Sequence, residues 1–76
     1  MKELVVTFAR FLVDDPDRVF VRERTDRGRL VLELSVARED RGRVIGRSGR
    51  TAAALRTVLD AVAARRGQSC TLEILD

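Results

Sequence analysis

The chain has no histidine, no tryptophan and no tyrosine, and only one cysteine, one proline and one lysine among its 76 residues. Each absence closes a route. Without histidine there is no Ser-His or Cys-His nucleophile pair. With Cys70 alone there is no disulfide within the chain, and no set of about four Cys or His ligands for a structural zinc ion. Carboxylate acid/base chemistry needs a buried or paired Asp or Glu in a pocket. Here Asp14, Asp15 and Asp17 crowd around Pro16 as a turn, while Glu33 and Glu73 fall on the less apolar side of alternating segments. That Asp run also lacks the glycine and the distant glutamate of a calcium loop. The expectation is a protein that is not an enzyme and carries no metal or other cofactor. The only lysine is Lys2, so there is no Gly-Lys-Ser/Thr phosphate loop, and no dinucleotide-binding glycine triplet occurs either. Phe8, Phe11 and Phe20 belong by periodicity to the first helix and first strand, so no aromatic stacking platform for unpaired bases is available. No apolar run approaches the roughly 20 residues of a membrane span. Met1-Lys2-Glu3 does not open a signal peptide, and the expected compartment is the cytoplasm, away from membranes.

What remains is charge, and its distribution matters more than its sum. The net charge is +3, carried by 15 basic and 12 acidic residues. Residues 1–37 balance to zero and residues 57–76 sum to −1. The surplus of +4 sits on residues 38–56, where Arg38, Arg41, Arg43, Arg47, Arg50 and Arg56 face only Glu39 and Asp40. Three of the five glycines lie in the same stretch. A local excess of this kind suits a polyanion.

The length is about half that of an ordinary domain, so residues 1–76 should form one unit with one small core. Leu4, Val5, Phe8, Phe11 and Leu12 mark one stripe of an amphipathic helix. It should stop near Val13, because Pro16 pushes Asp15 out of the helical region. From Arg18 the period becomes two, and Leu30, Leu32, Leu34 and Val36 alternate with Val31, Glu33 and Ser35. The intervening Thr25–Arg29 is short enough for an antiparallel hairpin. Arg38 to Ile45 reads as a short helix weakened by Gly42. Thr51 to Arg66 reads as a longer one, with Leu55, Leu59 and Val62 on one face and Gly67 as its stop. Cys70, Leu72 and Ile74 alternate as a last strand, with Cys70 acting as a small core hydrophobe. The order is α-β-β-α-α-β. The two-helix crossover lets its flanking strands lie parallel, which makes an α+β fold with a mixed three-stranded sheet packed against three helices.

Between the two central helices stands Gly46-Arg47-Ser48-Gly49. Glycines there permit positive φ and close approach of a ligand to the backbone. The start of the following helix offers N–H groups and a dipole suited to an anion, and Arg47 and Arg50 bracket it with forked donors. The plain alternative is a turn whose glycines cap one helix and admit the next. With the preceding Val44-Ile45, the surrounding β-α-α-β frame and the segment "RVIGRSGRTAAALR", the chain resembles the KH domain. Its element order is similar to the type II form, and its length and layout resemble the small single-domain bacterial KH proteins of the KhpA type, over essentially the whole chain. The resemblance implies that the loop clamps the backbone of about four single-stranded nucleotides. Gly46, Arg47, Ser48 and Gly49 would touch sugar-phosphate, and Arg50 and Arg43 would add phosphate contacts. Val44 and Ile45 would sit beside an apolar groove for the bases, supported by Leu55 and by the strand around Leu32 and Leu34; the competing reading of Val44, Ile45 and Leu55 is plain core, and for Leu55 it is the favoured one. Arg41 stands where the family favours an apolar residue, and Ala53 where a basic one is common. The resemblance further implies an RNA chaperone or post-transcriptional regulator linked to cell shape and cell-wall biogenesis. It also implies a homodimer, or a heterodimer with a larger KH-containing protein. Two other readings stay open: a helix-turn-helix-like DNA-binding protein, and a KH-fold interaction or dimerisation module that binds no nucleic acid.

Overall fold

The computed structural model describes residues 1–75. Its regular elements are α1 (Lys2–Leu12), β1 (Phe20–Asp26), β2 (Arg29–Ser35), α2 (Arg41–Ile45), α3 (Arg50–Arg65) and β3 (Cys70–Ile74). Single 3-10 turns at Pro16–Arg18, Arg38–Asp40 and Arg47–Gly49 join them.

Each boundary has a local cause. α1 ends at Leu12, where Val13 turns to extended backbone ahead of the Asp14-Asp15-Pro16 segment. β1 and β2 pair antiparallel from Phe20 opposite Ser35 to Asp26 opposite Arg29. Between them Arg27 and Gly28 both take positive φ, +54° and +80°, the two-residue turn whose twist matches that of the strands. α3 ends on Gly67 at φ +67°: the Gly67 N–H donates to the Ala64 carbonyl at 3.1 Å and the Gln68 N–H to the Ala63 carbonyl at 2.9 Å. That is the glycine-closed helix end expected from Arg65-Arg66-Gly67. β2 and β3 pair in parallel, with Leu30 beside Cys70 and Leu34 beside Ile74, giving the strand order β1-β2-β3. The α+β fold with a mixed sheet and three helices follows the order read from the sequence.

One face of the sheet carries the core. Leu32, Leu34, Val21, Cys70 and Leu72 meet Val5 and Ala9 of α1, Val44 of α2, and Leu55, Leu59 and Ala63 of α3. α1 differs from its expected stripe. Val5 and Ala9 are buried, whereas Phe11 is 86% exposed and Leu4 also lies outside. Phe8 packs against the core, so the inward side of α1 runs through Val5, Phe8 and Ala9. Cys70 is buried, and burial, reinforced by the charge of Asp60, pushes its thiol pKa above the ordinary value. It therefore stays protonated at neutral pH and packs as an apolar group.

The opposite face is open and ion-paired. Arg22 Nε lies 3.3 Å and Arg24 Nε 3.0 Å from the two carboxylate oxygens of Glu33, and Arg24 Nη2 reaches Glu73 at 3.4 Å. The bond to Glu33 holds the Arg24 guanidinium still further above its ordinary pKa. Val31, the apolar residue in the middle of this face, is buried between its cross-strand neighbours Arg24 and Thr71.

Candidate functional site

The Gly46–Gly49 loop is built by two helices that cannot merge. The Gly46 N–H closes α2 on the Gly42 carbonyl at 2.9 Å, and Gly46 then takes φ +77° and ψ +169°, a conformation open essentially to glycine alone. Space demands glycine as strictly as conformation does. A Cβ at Gly46 would lie 2.9 Å from the Thr51 backbone nitrogen and would collide with that residue's hydroxyl. Ser48 follows in the left-handed region at φ +56° and ψ +26°, and Gly49 at φ +74°. Gly49 differs from Gly46 in that a Cβ there would meet only open space. The Gly49 N–H closes on the Gly46 carbonyl at 3.0 Å and the Arg50 N–H on that of Arg47. These closures do not use the amides of Arg47 and Ser48.

α3 begins directly on this loop without a side-chain cap and without an acidic residue in its first turn. Helices are ordinarily stabilised by an anion at that end. Here Arg47 and Arg50 stand there instead, both exposed and neither ion-paired among the described residues. Positive charge at the positive end of a 16-residue helix is locally unfavourable. A helix start of this kind is suited to an anion from outside.

The other expected site residues divide. Ile45 is 41% exposed next to the loop. Val44 is fully buried in the core, so its side chain is not beside a groove: α2 turns it inward against the sheet and α3 while Ile45 points out. Leu55, Leu32 and Leu34 are likewise core. Arg43 is turned back toward the α1 to β1 connection, its Nη2 2.9 Å from the Asp14 carboxylate and its Nε 3.6 Å from that of Asp40. As placed, it answers those carboxylates rather than standing free for phosphate. Arg41 is half-buried and engaged, and Ala53 is exposed on α3.

Two features of the region left no mark in the sequence pattern. Asp40 is 3% exposed, and its carboxylate accepts the backbone N–H of Asp14 and of Asp15, each at 3.1 Å. It thereby ties the turn after α1 to the start of α2, and so to the loop. The second is a cavity of about 240 Å³ on the seam between α3 and β3, lined by Arg29, Arg56, Asp60, Cys70, Thr71 and Leu72 together with Leu59. Arg56 Nη2 donates to the Leu72 carbonyl at 3.4 Å and Arg29 Nη1 to Thr71 Oγ1 at 3.2 Å.

A β-α-α-β unit with a Gly-x-x-Gly loop between its helices, extended at its start by α1 and β1, defines a KH domain of the type II arrangement. Comparison with known proteins is specific: the model of the KhpA/KhpB KH domain matches residues 2–74, and the chain belongs to that family. It is 49% identical over 76 residues to a protein named RNA-binding protein KhpA from Halalkalibacterium halodurans, covering the whole of both chains. A protein of the same name from Clostridium acetobutylicum is 48% identical over 75 residues, covering 99% of this chain and all of that one. The KhpA of Listeria monocytogenes is 43% identical over 77 residues, again covering both chains fully. No solved structure matches. Membership of this family makes the chain a non-enzymatic protein.

Proposed function

We propose that the chain, as one KH unit over residues 1–76, binds single-stranded RNA by clamping the sugar-phosphate backbone on the Gly46–Gly49 loop. The observation that carries this is the uncapped, acid-free start of α3, where Arg47 and Arg50 stand exposed and, among the described residues, without an ion pair. The glycines let phosphate reach the backbone, the Arg47 and Ser48 amides and the Ser48 hydroxyl donate to it, and Ile45 supplies apolar contact to a base. The names of the relatives, RNA-binding proteins all, support the polymer. The helix-turn-helix alternative fits poorly: α2 is a five-residue helix, and the exposed side of α3 near the loop offers Ala53 and Ala54, which carry no base-reading groups.

The wider role follows the same reading. A lone groove without aromatic stacking holds few nucleotides weakly, so pairing with a second copy or with a larger KH-containing protein would raise affinity through effective concentration. The outward Val58 of α3, 47% exposed, supports such pairing. The cellular role is that of a cytoplasmic RNA chaperone or post-transcriptional regulator acting on cell shape and cell-wall biogenesis.

Changing Arg47 and Ser48 together to Asp sets two carboxylates against phosphate while leaving Gly46 and Gly49 in place. Affinity for a short single-stranded RNA, read by fluorescence polarisation, is expected to fall at least about tenfold, the loss of one or two charge-assisted bonds. Melting temperature should hold or rise, because the change removes a cation from the positive end of α3 and adds carboxylates there. Undiminished binding by the double variant would remove the loop from the interface. For the wild-type protein, log affinity should fall against log salt with a slope of about −0.7 per phosphate contacted. A flat response would exclude a phosphate clamp.

A further inference from the structure

The cavity between α3 and β3 holds a combination that a phosphate clamp does not need. Asp60 lies on the same flank of α3 as Arg56. It is exposed and makes no hydrogen bond or ion pair among the described residues, although two guanidinium groups line the same cavity. Among the described residues, Arg56 and Arg29 each bond an acceptor on β3 through one nitrogen and keep their remaining N–H groups. The floor is apolar, formed by the buried Leu59 and Leu72 with Cys70. Its α3 residues Arg56 and Asp60 lie six and ten residues from Arg50, about 9 and 15 Å along the helix, within reach of the roughly four nucleotides that such a loop holds.

A free carboxylate beside the path of a polyanion lowers affinity for phosphate unless something in the ligand donates to it. Among the four bases, guanine alone presents two parallel donors, N1–H and the N2 amine, on one edge and two acceptors, O6 and N7, on another. Uracil sets carbonyl oxygens on both sides of its one N–H. Adenine and cytosine each place a ring-nitrogen lone pair beside their single amine, where it would face the carboxylate. Unpaired bases in RNA are read on both edges in this way, and guanidinium to O6 and N7 is the commonest specific contact to guanine.

We infer that this cavity is a guanine-reading pocket, in which Asp60 accepts from N1–H and the N2 amine, Arg56 or Arg29 donates to O6 and N7, and the ring lies on Leu59 and Leu72. The inference rests on the loop reading above, and it assigns a base preference that the loop does not provide. Its test uses the full chain and a short uridine-rich RNA with one variable position, offered as G, A, C or U, with affinity read by fluorescence polarisation. The G version is expected to bind about tenfold tighter than the U version, the discrimination of one good bidentate pair. Asp60→Ala should erase that preference while binding to the all-uridine RNA stays equal or rises, since a negative charge is gone. The exposed helical position tolerates alanine, and an unchanged melting temperature would certify the fold. Equal affinity for all four wild-type ligands overturns the pocket and leaves the loop standing, as does a G preference that survives Asp60→Ala. Failure of every one of the four RNAs to bind overturns both.

Discussion

Gly46→Ala is expected to destabilise the domain by about 4 kcal/mol, while the same substitution at Gly49 costs only about 1 kcal/mol. The two glycines of the loop look alike in sequence and differ in what surrounds them. At Gly46 the added methyl meets the Thr51 backbone nitrogen at 2.9 Å, so neither a rotamer change nor a flexible tip can relieve it. The conformation, φ +77° with ψ +169°, is itself closed to side chains, so backbone strain of about 1 to 3 kcal/mol adds to a steric term of similar size. Gly49 lies in the left-handed helical region with open space where a Cβ would go. Its cost is mainly conformational. For a domain of this size total stability is on the order of 4 to 11 kcal/mol, so Gly46→Ala removes a large fraction of it. Urea unfolding of the two variants beside the wild type provides the comparison, and equal losses would mean that the two positions are equivalent turn glycines after all.

Asp40→Ala should cost about 3 kcal/mol. The carboxylate is buried and receives two backbone N–H groups at 3.1 Å, those of Asp14 and Asp15, in addition to facing Arg43. Hydrogen bonds to a charged partner contribute about 1.5 to 3 kcal/mol each, and donors stranded without an acceptor lose their hydration as well. Asp40→Asn retains one acceptor oxygen and should lose roughly half as much. For a domain of 60 to 100 residues each kcal/mol shifts the midpoint by about 4 to 8 °C, so a thermal melt separates wild type, Asn and Ala in that order. A melt in which Asp40→Ala matches the wild type would show that water replaces the carboxylate and that the tie between α1 and α2 carries no energy.

The contrast between these two sites explains what could be read from the residues alone. Strand alternation around Leu32 and Leu34, the Asp-x-Gly hairpin link and the glycine after Arg66 are local signals, and each element formed where its signal lies. The loop was legible for the same reason, since Gly46 and Gly49 answer to backbone geometry a few residues wide. Asp40 was not, because its partners are 25 and 26 positions away in sequence and a carboxylate beside arginines reads as surface. Arg43 reads in sequence as free charge on the +4 segment, but Asp40 within that segment and Asp14 outside it both hold it. Val44 and Ile45 could not be told apart because α2 is too short to show a period, and only packing reveals which of the two enters the core. The outward turn of Phe11 has the same origin, since hydrophobicity predicts a stripe and only packing shows that its buried side is centred on Val5 and Ala9. Asp60, Arg56 and Arg29 come from α3 and the end of the hairpin and meet only across the α3–β3 seam.

On the proposed loop clamp, the acid-free beginning of α3 makes binding and folding stability draw on the same residues in opposite directions. A glutamate or a capping aspartate in that first turn would suit the free helix and would repel the phosphate of the proposed clamp. The free protein therefore sits below the stability its backbone could reach, and a phosphate held at Arg47 and Arg50, as proposed, would restore part of the difference. By thermodynamic linkage, ligand occupancy is then reported as a rise in melting temperature, so the stability withheld from the free domain is itself a handle for recognising what binds it.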